Sequence, residues 1–348
     1  MALYQQRKII MRMFQQIAMA AVGALTLSII APAGNAGAAP LRERDDTVTV
    51  AGVEIACRLT FPAGAPQGAV LLLPGSLFSD VDGNYPTMNL KPHLYADLAA
   101  QLGERGFAVL RMAKIGPGTG SRTVDPQAAA RHAQFATRAE VAAAGLALLR
   151  KSAPARPLIV AGHSEGALVA SMLASAADAQ AIAGVVLLSG PAAPLLSLMR
   201  EQLAAMSPPG ADLAMYDQTV AALRAGQPLP AGAGTNPQTA MLAAMPAFSL
   251  DYLRSTDRVD PVAELARVRQ PVLIVQGGQD ASVPPAHADR LHQGRGKLPT
   301  ELARFPGLTH FYKVAPPGIS PMQSMALDSV SEPAVAQRIA SWARRLPM

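Results

Sequence analysis

One cysteine, Cys57, stands in the 348-residue chain, so no internal disulfide can staple the fold and its core must hold it together. Aromatic residues are scarce at 4%, and no long Lys/Arg cluster interleaves with them, which excludes the basic, aromatic-lined surface of a nucleic-acid binder. Long apolar runs are wanting as well. Ile17 to Ala31 is shorter than the roughly 20 residues a bilayer-spanning helix needs, and no later segment qualifies. What the chain has is small and apolar: hydrophobic residues make up 50%, with 28 glycines and 30 prolines. That is a globular composition, long enough for one large α/β domain, with small-residue helix packing and many defined turns.

Residues 1–38 read as a secretory signal peptide. Arg7, Lys8 and Arg12 make a positive start, the apolar run follows, and Ala36-Gly37-Ala38 offers an A-x-A cleavage site before Ala39. An exported protein, periplasmic or secreted, is the expectation. The leader holds three of the 30 basic residues and no acidic one, so the remainder carries 27 against 24, a formal excess of only three charges. The positive balance therefore says nothing about an acidic partner.

Thr47 to Phe61 alternates like two short strands about Ala51-Gly52, an edge hairpin, with Cys57 on the apolar face as a buried, inert thiol. The rhythm then changes. Gly68 to Pro74, Phe107 to Met112, Leu158 to Ala161, Val185 to Leu188 and Val272 to Val275 are short apolar runs suited to strands covered on both faces. A further strand is expected around Leu302 to Phe305. Helical spacing separates these runs: after Leu94, over Ala128 to Lys151, over Ala167 to Ala177, near Pro285 to Gln293, and from about Pro333 to Arg345. The alternation predicts a mainly parallel sheet with helices on both faces, whose ligands lie beyond the carboxyl ends of the strands. Between Leu188 and Val272 about eighty residues rich in Met, Ala and Pro contain no strand-like run. They read as a helical lid insertion over about 191–262. Its Met199, Met206, Met215, Met241 and Met245 either line an adaptable apolar pocket or pack the insertion's own small core.

Gly162-His163-Ser164-Glu165-Gly166 is the central chemical signal. G-x-S-x-G places a serine on a strained strand-to-helix turn, exposes its Oγ, and sets the helix's first amides beside developing negative charge. The bare pattern arises easily in a glycine-rich chain. Here it follows the strand Leu158 to Ala161 and opens a helix of small residues, as the mechanism demands. A serine hydroxyl needs a base, and the base needs orienting. Only His287, His292 and His310 follow Ser164. The first two lie in a helical stretch, whereas His310 follows the last core strand by a few residues and is the expected base. Asp280 directly follows the strand Val272 to Val275 and is the expected acid. Asp257 and Asp260 precede that strand instead, and no acid lies just after Leu188. The expected oxyanion donors are the backbone N–H groups of Glu165 and Ser76, the latter on the loop after the first parallel strand. His163 is expected to be structural. Asp80-Val81-Asp82-Gly83-Asn84 opens like a calcium loop, but Tyr85 and Lys91 stand where such a loop wants Gly and Glu, so an Asx-type turn suffices.

These residues carry a family resemblance. Leu73 to Ser76 with Asp80 to Asn84, Gly106 to Arg111 with Lys114 and Gly116, Gly162 to Gly166, Pro271 to Asp280, and Thr309-His310 resemble bacterial α/β-hydrolases. The likeness is to the serine-esterase group related to the prolyl-oligopeptidase and dienelactone-hydrolase lineages. It covers roughly residues 47–190 and 260–348 and departs at Leu77-Phe78, Val81, Ala113 and Ile115, where the family usually has a Gly-Pro turn, an Arg, an Asp and an Arg. It implies the α/β-hydrolase fold and a serine hydrolase acting on a small-molecule carboxylic ester, with no metal or organic cofactor. Two other readings remain open: a peptidase or amidase using the same triad, and a non-catalytic binding protein on a hydrolase scaffold.

Overall fold

The structure, a computed structural model of the chain, describes residues 40–176 and 181–347. The leader expected over 1–38 lies outside the described residues. Nine strands form one sheet among the described residues: β1 (Arg42–Val50), β2 (Val53–Phe61), β3 (Gly68–Leu73), β4 (Phe107–Met112), β5 (Arg122–Thr123), β6 (Leu158–His163), β7 (Gly184–Leu188), β8 (Val272–Gly277) and β9 (Thr300–Phe305). The order is β1-β2-β4-β3-β6-β7-β8-β9, with the short β5 paired to β2. β1 and β2 form the antiparallel edge hairpin, turning at Ala51 and Gly52, both with positive φ. From β4 to β9 every pairing is parallel.

The apolar runs are legible as strands because both of their faces are covered. In β3, Leu71 and Leu73 join one buried cluster while Val70 and Leu72 join the other, as a period of two requires. The first face packs α2 (Thr137–Ser152), α3 (Glu165–Ser175), α8 (Pro261–Ala266) and α9 (Ala286–Gly294). The second packs α1 (Leu94–Glu104) and α10 (Pro333–Ala343). Each fully buried Val or Leu contributes about 1.5–3 kcal/mol relative to exposure. Cys57 is buried on the first face, and burial pushes its thiol up to about 12, leaving it inert at neutral pH.

The alanine-rich stretch is not the single helix its composition suggests. A helical turn at Pro126–Ala129 and a 3₁₀ turn at Ala130–Ala133 lead to extended Gln134 before α2 begins. Tertiary anchors outweigh alanine's helix propensity here. His132 Nε2 meets the Val50 carbonyl at 3.0 Å, the Phe135 N–H donates to Ser255 Oγ at 2.9 Å, and the Phe135 ring is buried.

Between β7 and β8 the chain is helical: α4 (Leu195–Met206), α5 (Ala214–Ala225), α6 (Ala240–Ala243), α7 (Ala247–Asp257), then α8. Leu196, Tyr216, Val220, Leu223 and Leu242 form a small core separate from the sheet, with Met199 and Met245 packed against it. Leu265 and Val268 belong to the main core, so α8 is part of the body rather than of the insertion. Met206 and Met241 are exposed.

Candidate active site

The turn after β6 is built around Ser164, whose backbone sits at φ 55° and ψ −121°. Positive φ in a serine stores roughly 1–3 kcal/mol, a strain that surrounding packing must over-determine. Two glycines make the turn possible. A Cβ on Gly162 would lie 2.0 Å from the Gly166 carbonyl oxygen, and one on Gly166 would lie 2.5 Å from that of Leu73. The Ser164 N–H donates to the Leu188 carbonyl at 2.8 Å, which ties the turn to the end of β7. Ser164 gives α3 no side-chain cap, so its hydroxyl is not spent on the helix.

At the ends of β8 and β9, Asp280 and His310 meet. His310 Nδ1 lies 2.8 Å from Asp280 Oδ2, and both side chains are buried. Asp280 is fixed further: Oδ1 accepts the N–H groups of Ser282 at 2.9 Å and Val283 at 2.8 Å, and Oδ2 accepts Gln276 Nε2 at 3.2 Å. A carboxylate so held keeps the proton on Nδ1 and leaves Nε2 as the basic nitrogen. The two loops are joined by backbone as well, the Gln279 N–H donating to the Leu308 carbonyl at 2.9 Å.

His163, at the end of the strand that leads into Ser164, links that strand to His310. Its Nε2 lies 3.0 Å from the His310 carbonyl, its Nδ1 lies 3.2 Å from Tyr95 Oη, and its ring centroid is 4.5 Å from that of His310. Burial and the adjacent His310 hold its pKa well below the usual histidine value, so the ring is neutral. With Nε2–H donating to His310, Nδ1 accepts the Tyr95 hydroxyl, which in turn accepts the Gly75 N–H at 2.8 Å. One relay thus runs from the loop after β3, through Tyr95 and His163, to the backbone of His310. Among the described residues Ser164 Oγ forms no hydrogen bond, its step to His310 included. Such hydrogen bonds are commonly long in unliganded enzymes and tighten with substrate.

The loop after β3 closes on the serine. A Cβ on Gly75 would lie 3.1 Å from Ser164 Cβ. Beneath it is a buried polar cluster. Lys114 Nζ donates to the Gly75 carbonyl at 3.0 Å, ion-pairs with Glu165 Oε1 and lies 3.4 Å from Tyr252 Oη. Glu165 also accepts Tyr252 Oη at 2.8 Å and Ser76 Oγ at 3.2 Å. Burial, then the field of Arg138, lowers Lys114 to about 8 against the pull of Glu165. Burial pushes Glu165 upward, but Lys114, Arg138 and Tyr252 outweigh it and its pKa falls. The pair is therefore charged at neutral pH. From the sequence alone Glu165 contributes only its backbone N–H, and nothing in the sequence points to Tyr95 or Tyr252. Lys114 entered there only through the family resemblance.

Asp257, Asp260, His287, Asp80 and Asp82 are taken up by contacts that hold the fold. Asp257 accepts the Leu196 N–H at 2.8 Å, holding the start of α4, and pairs with Arg224. Asp260 caps α8 through the N–H groups of Val262 and Ala263. His287 is buried, accepts the Ala192 N–H on Nδ1 at 2.8 Å and reaches Glu201 with Nε2 at 2.6 Å. Asp80 closes an Asx turn on the N–H groups of Asp82 and Asn84, and Asp82 pairs with Arg111 and Arg58. Among the described residues no cluster of His, Cys, Asp and Glu could hold a metal ion, and no helix is long and apolar enough to cross a membrane.

Residues 88–312 match the family model described as serine aminopeptidase, S33. No curated protein sequence matches the chain. Among solved structures, an esterase of Pyrococcus furiosus superposes with a TM-score of 0.57 at 15% identity, covering 88% of this chain and 92% of its own. Est1E of Butyrivibrio proteoclasticus, with ferulic acid bound, gives 0.54 at 18%, covering 85% and 97%. The proline iminopeptidase of Mycobacterium smegmatis gives 0.53 at 15%, covering 87% and 98%. Identities this low speak for the fold alone; the family match includes Ser164, Asp280 and His310 and spans well over half of the sequence. The chain belongs to the serine aminopeptidase S33 family and has the α/β-hydrolase fold.

Proposed function

We propose that this hydrolase cleaves a small-molecule carboxylic ester through an acyl-enzyme on Ser164. The observation that carries the reading is the buried 2.8 Å contact of His310 Nδ1 with Asp280, at the sheet end where the strained Ser164 turn also lies. In the reaction His310 Nε2 takes the Ser164 proton as Oγ attacks the ester carbonyl carbon. The tetrahedral oxyanion is met by the N–H groups of Ser76 and Glu165. His310 returns the proton to the departing alkoxide oxygen, which leaves as alcohol. Water then attacks the acyl carbon, giving its proton to His310; as the acyl C–O bond to Ser164 breaks, His310 passes that proton to Ser164 Oγ and the acid leaves. Leu77 and Phe78, exposed beside Ser76, supply an apolar surface for the acyl or alcohol group.

The helical insertion is read as a lid. Contacts that tie it to the body at the proposed catalytic end include Tyr252 to Glu165, Gln202 Nε2 to the Ser282 carbonyl at 2.6 Å, and Glu201 to His287. The leader supports an exported enzyme. A second reading, an aminopeptidase, is favoured by the family's description and by the iminopeptidase among its structural neighbours. A side-by-side panel separates the two: aryl esters of two to eight acyl carbons against prolyl and leucyl anilides. The ester reading expects kcat/KM at least a hundredfold higher on the best ester; the reverse order would give the function to the second reading.

A further inference from the structure

We propose that Lys114 is the positioning residue of the oxyanion hole, and that through Tyr252 it couples that hole to the helical insertion. The inference rests on the serine-hydrolase reading of Ser164. Lys114 stands two residues beyond β4, beside the loop that leaves β3, because Leu72 and Arg111 pair in register. Its backbone is held there by the N–H bond to the Ser79 carbonyl at 2.9 Å. The ammonium group has three N–H donors, and three acceptors surround it: the Gly75 carbonyl, the Glu165 carboxylate and the Tyr252 hydroxyl.

Two of these contacts, to Gly75 and to Glu165, reach a donor of the proposed hole from behind. The Gly75 carbonyl and the Ser76 N–H belong to one planar peptide group, so fixing the oxygen fixes the direction of the N–H. A cation on that oxygen also polarises the peptide and strengthens its N–H as a donor. Glu165 supplies the other N–H, and its own carboxylate is held by the same ammonium, by Tyr252 and by Ser76 Oγ. The two donors are thus locked to each other through one buried cation. Without it, a buried carboxylate would face the developing oxyanion and oppose it.

Tyr252 makes the arrangement depend on the insertion. It lies on α7, and its ring packs edge-on against Phe135 at 5.9 Å while its hydroxyl donates to Glu165. A shift of α7 would therefore loosen the Glu165 carboxylate. The ionisable groups facing Lys114 are Glu165 on α3, Tyr252 on α7 and Arg138 on α2. Loss of the Lys114 proton, near its lowered value of about 8, would remove the charge that holds the Gly75 carbonyl and the Glu165 carboxylate to each other.

The test compares Lys114→Met, Glu165→Gln, the double variant and Tyr252→Phe in the full chain. Turnover is normalised to active sites counted by fluorophosphonate labelling of Ser164. Lys114→Met should lower kcat about 10²–10³-fold, the loss typical of one oxyanion donor, with KM changed less than threefold. The double variant should recover at least tenfold over Lys114→Met, because it removes the stranded carboxylate. The parent's alkaline limb near pH 8 should be absent from the double variant. Tyr252→Phe, which keeps the ring, should lower kcat by about threefold to tenfold at unchanged KM, and it decides the matter if Lys114→Met does not fold. Unchanged kcat per labelled site in Tyr252→Phe or Lys114→Met would overturn the proposal and show the cluster to be structural. A parent enzyme that fails to label at Ser164 would instead refute the underlying reading.

Discussion

Replacing Asp280 by Asn changes one atom and tests the electrostatic logic of the site. Oδ1 of Asp280 accepts two backbone N–H groups at 2.9 and 2.8 Å, which will keep the asparagine's carbonyl oxygen on that side. Its NH2 group must then take the place of Oδ2, facing two donors, His310 Nδ1 at 2.8 Å and Gln276 Nε2 at 3.2 Å. His310 can relieve its clash only by moving its proton to Nε2, where Nδ1 accepts from the new amide. The basic nitrogen is then lost to Ser164. A wrong tautomer of this kind lowers kcat by about 10⁴, or about 5.4 kcal/mol of barrier. Stability should change less, by roughly 2 kcal/mol, as two charge-assisted bonds become neutral ones. Aryl-ester turnover at pH 7.5 and urea melting by circular dichroism measure the two effects separately. A variant that melts like the parent and retains kcat within tenfold would refute the assignment of Asp280 as the orienting acid.

Two further outcomes follow from burial and from the proposed leader. The unfolded chain takes up a proton on His163 near pH 6.5, whereas the native ring resists it. Its contribution to stability is therefore intact above pH 6.5 and is lost as pH falls below that value, at about 1.4 kcal/mol per pH unit. Urea midpoints between pH 6.5 and 5 should show this slope, and His163→Gln should flatten it by one histidine; an unchanged slope would contradict the neutral relay. Protein recovered after export from an expressing bacterium should begin at Ala39-Pro40-Leu41 on N-terminal sequencing, and a start at Met1 would reject the A-x-A site.

The sheet was readable because its strands have both faces covered, which turns β3, β4, β6, β7 and β8 into short continuous apolar runs. The Ser164 turn and the placement of Asp280 and His310 after strands were readable for a related reason: chain order and strand ends fix where such residues can stand. Position alone, however, does not reveal long-range polar pairing. Tyr95 and His163 are 68 residues apart, and Lys114 and Glu165 are 51 apart, with no periodicity to announce either pair. The break before α2 was hidden likewise, because Phe135 answers to Tyr252 and Ser255 from the insertion rather than to its alanine neighbours. Composition marked the insertion as strand-free, but only packing separates α8 from the helices that share their own core.

The most direct test of the account is covalent. A fluorophosphonate probe should add one equivalent to the chain, and peptide mass mapping should place it on Ser164 within Gly162 to Gly166. Pre-incubation with an ester substrate should slow the labelling, and His310→Ala should abolish it while the fold persists. A probe that leaves Ser164 unmodified in active enzyme, or that labels Ser164 equally well without His310, would contradict the claim that Ser164 is the activated nucleophile.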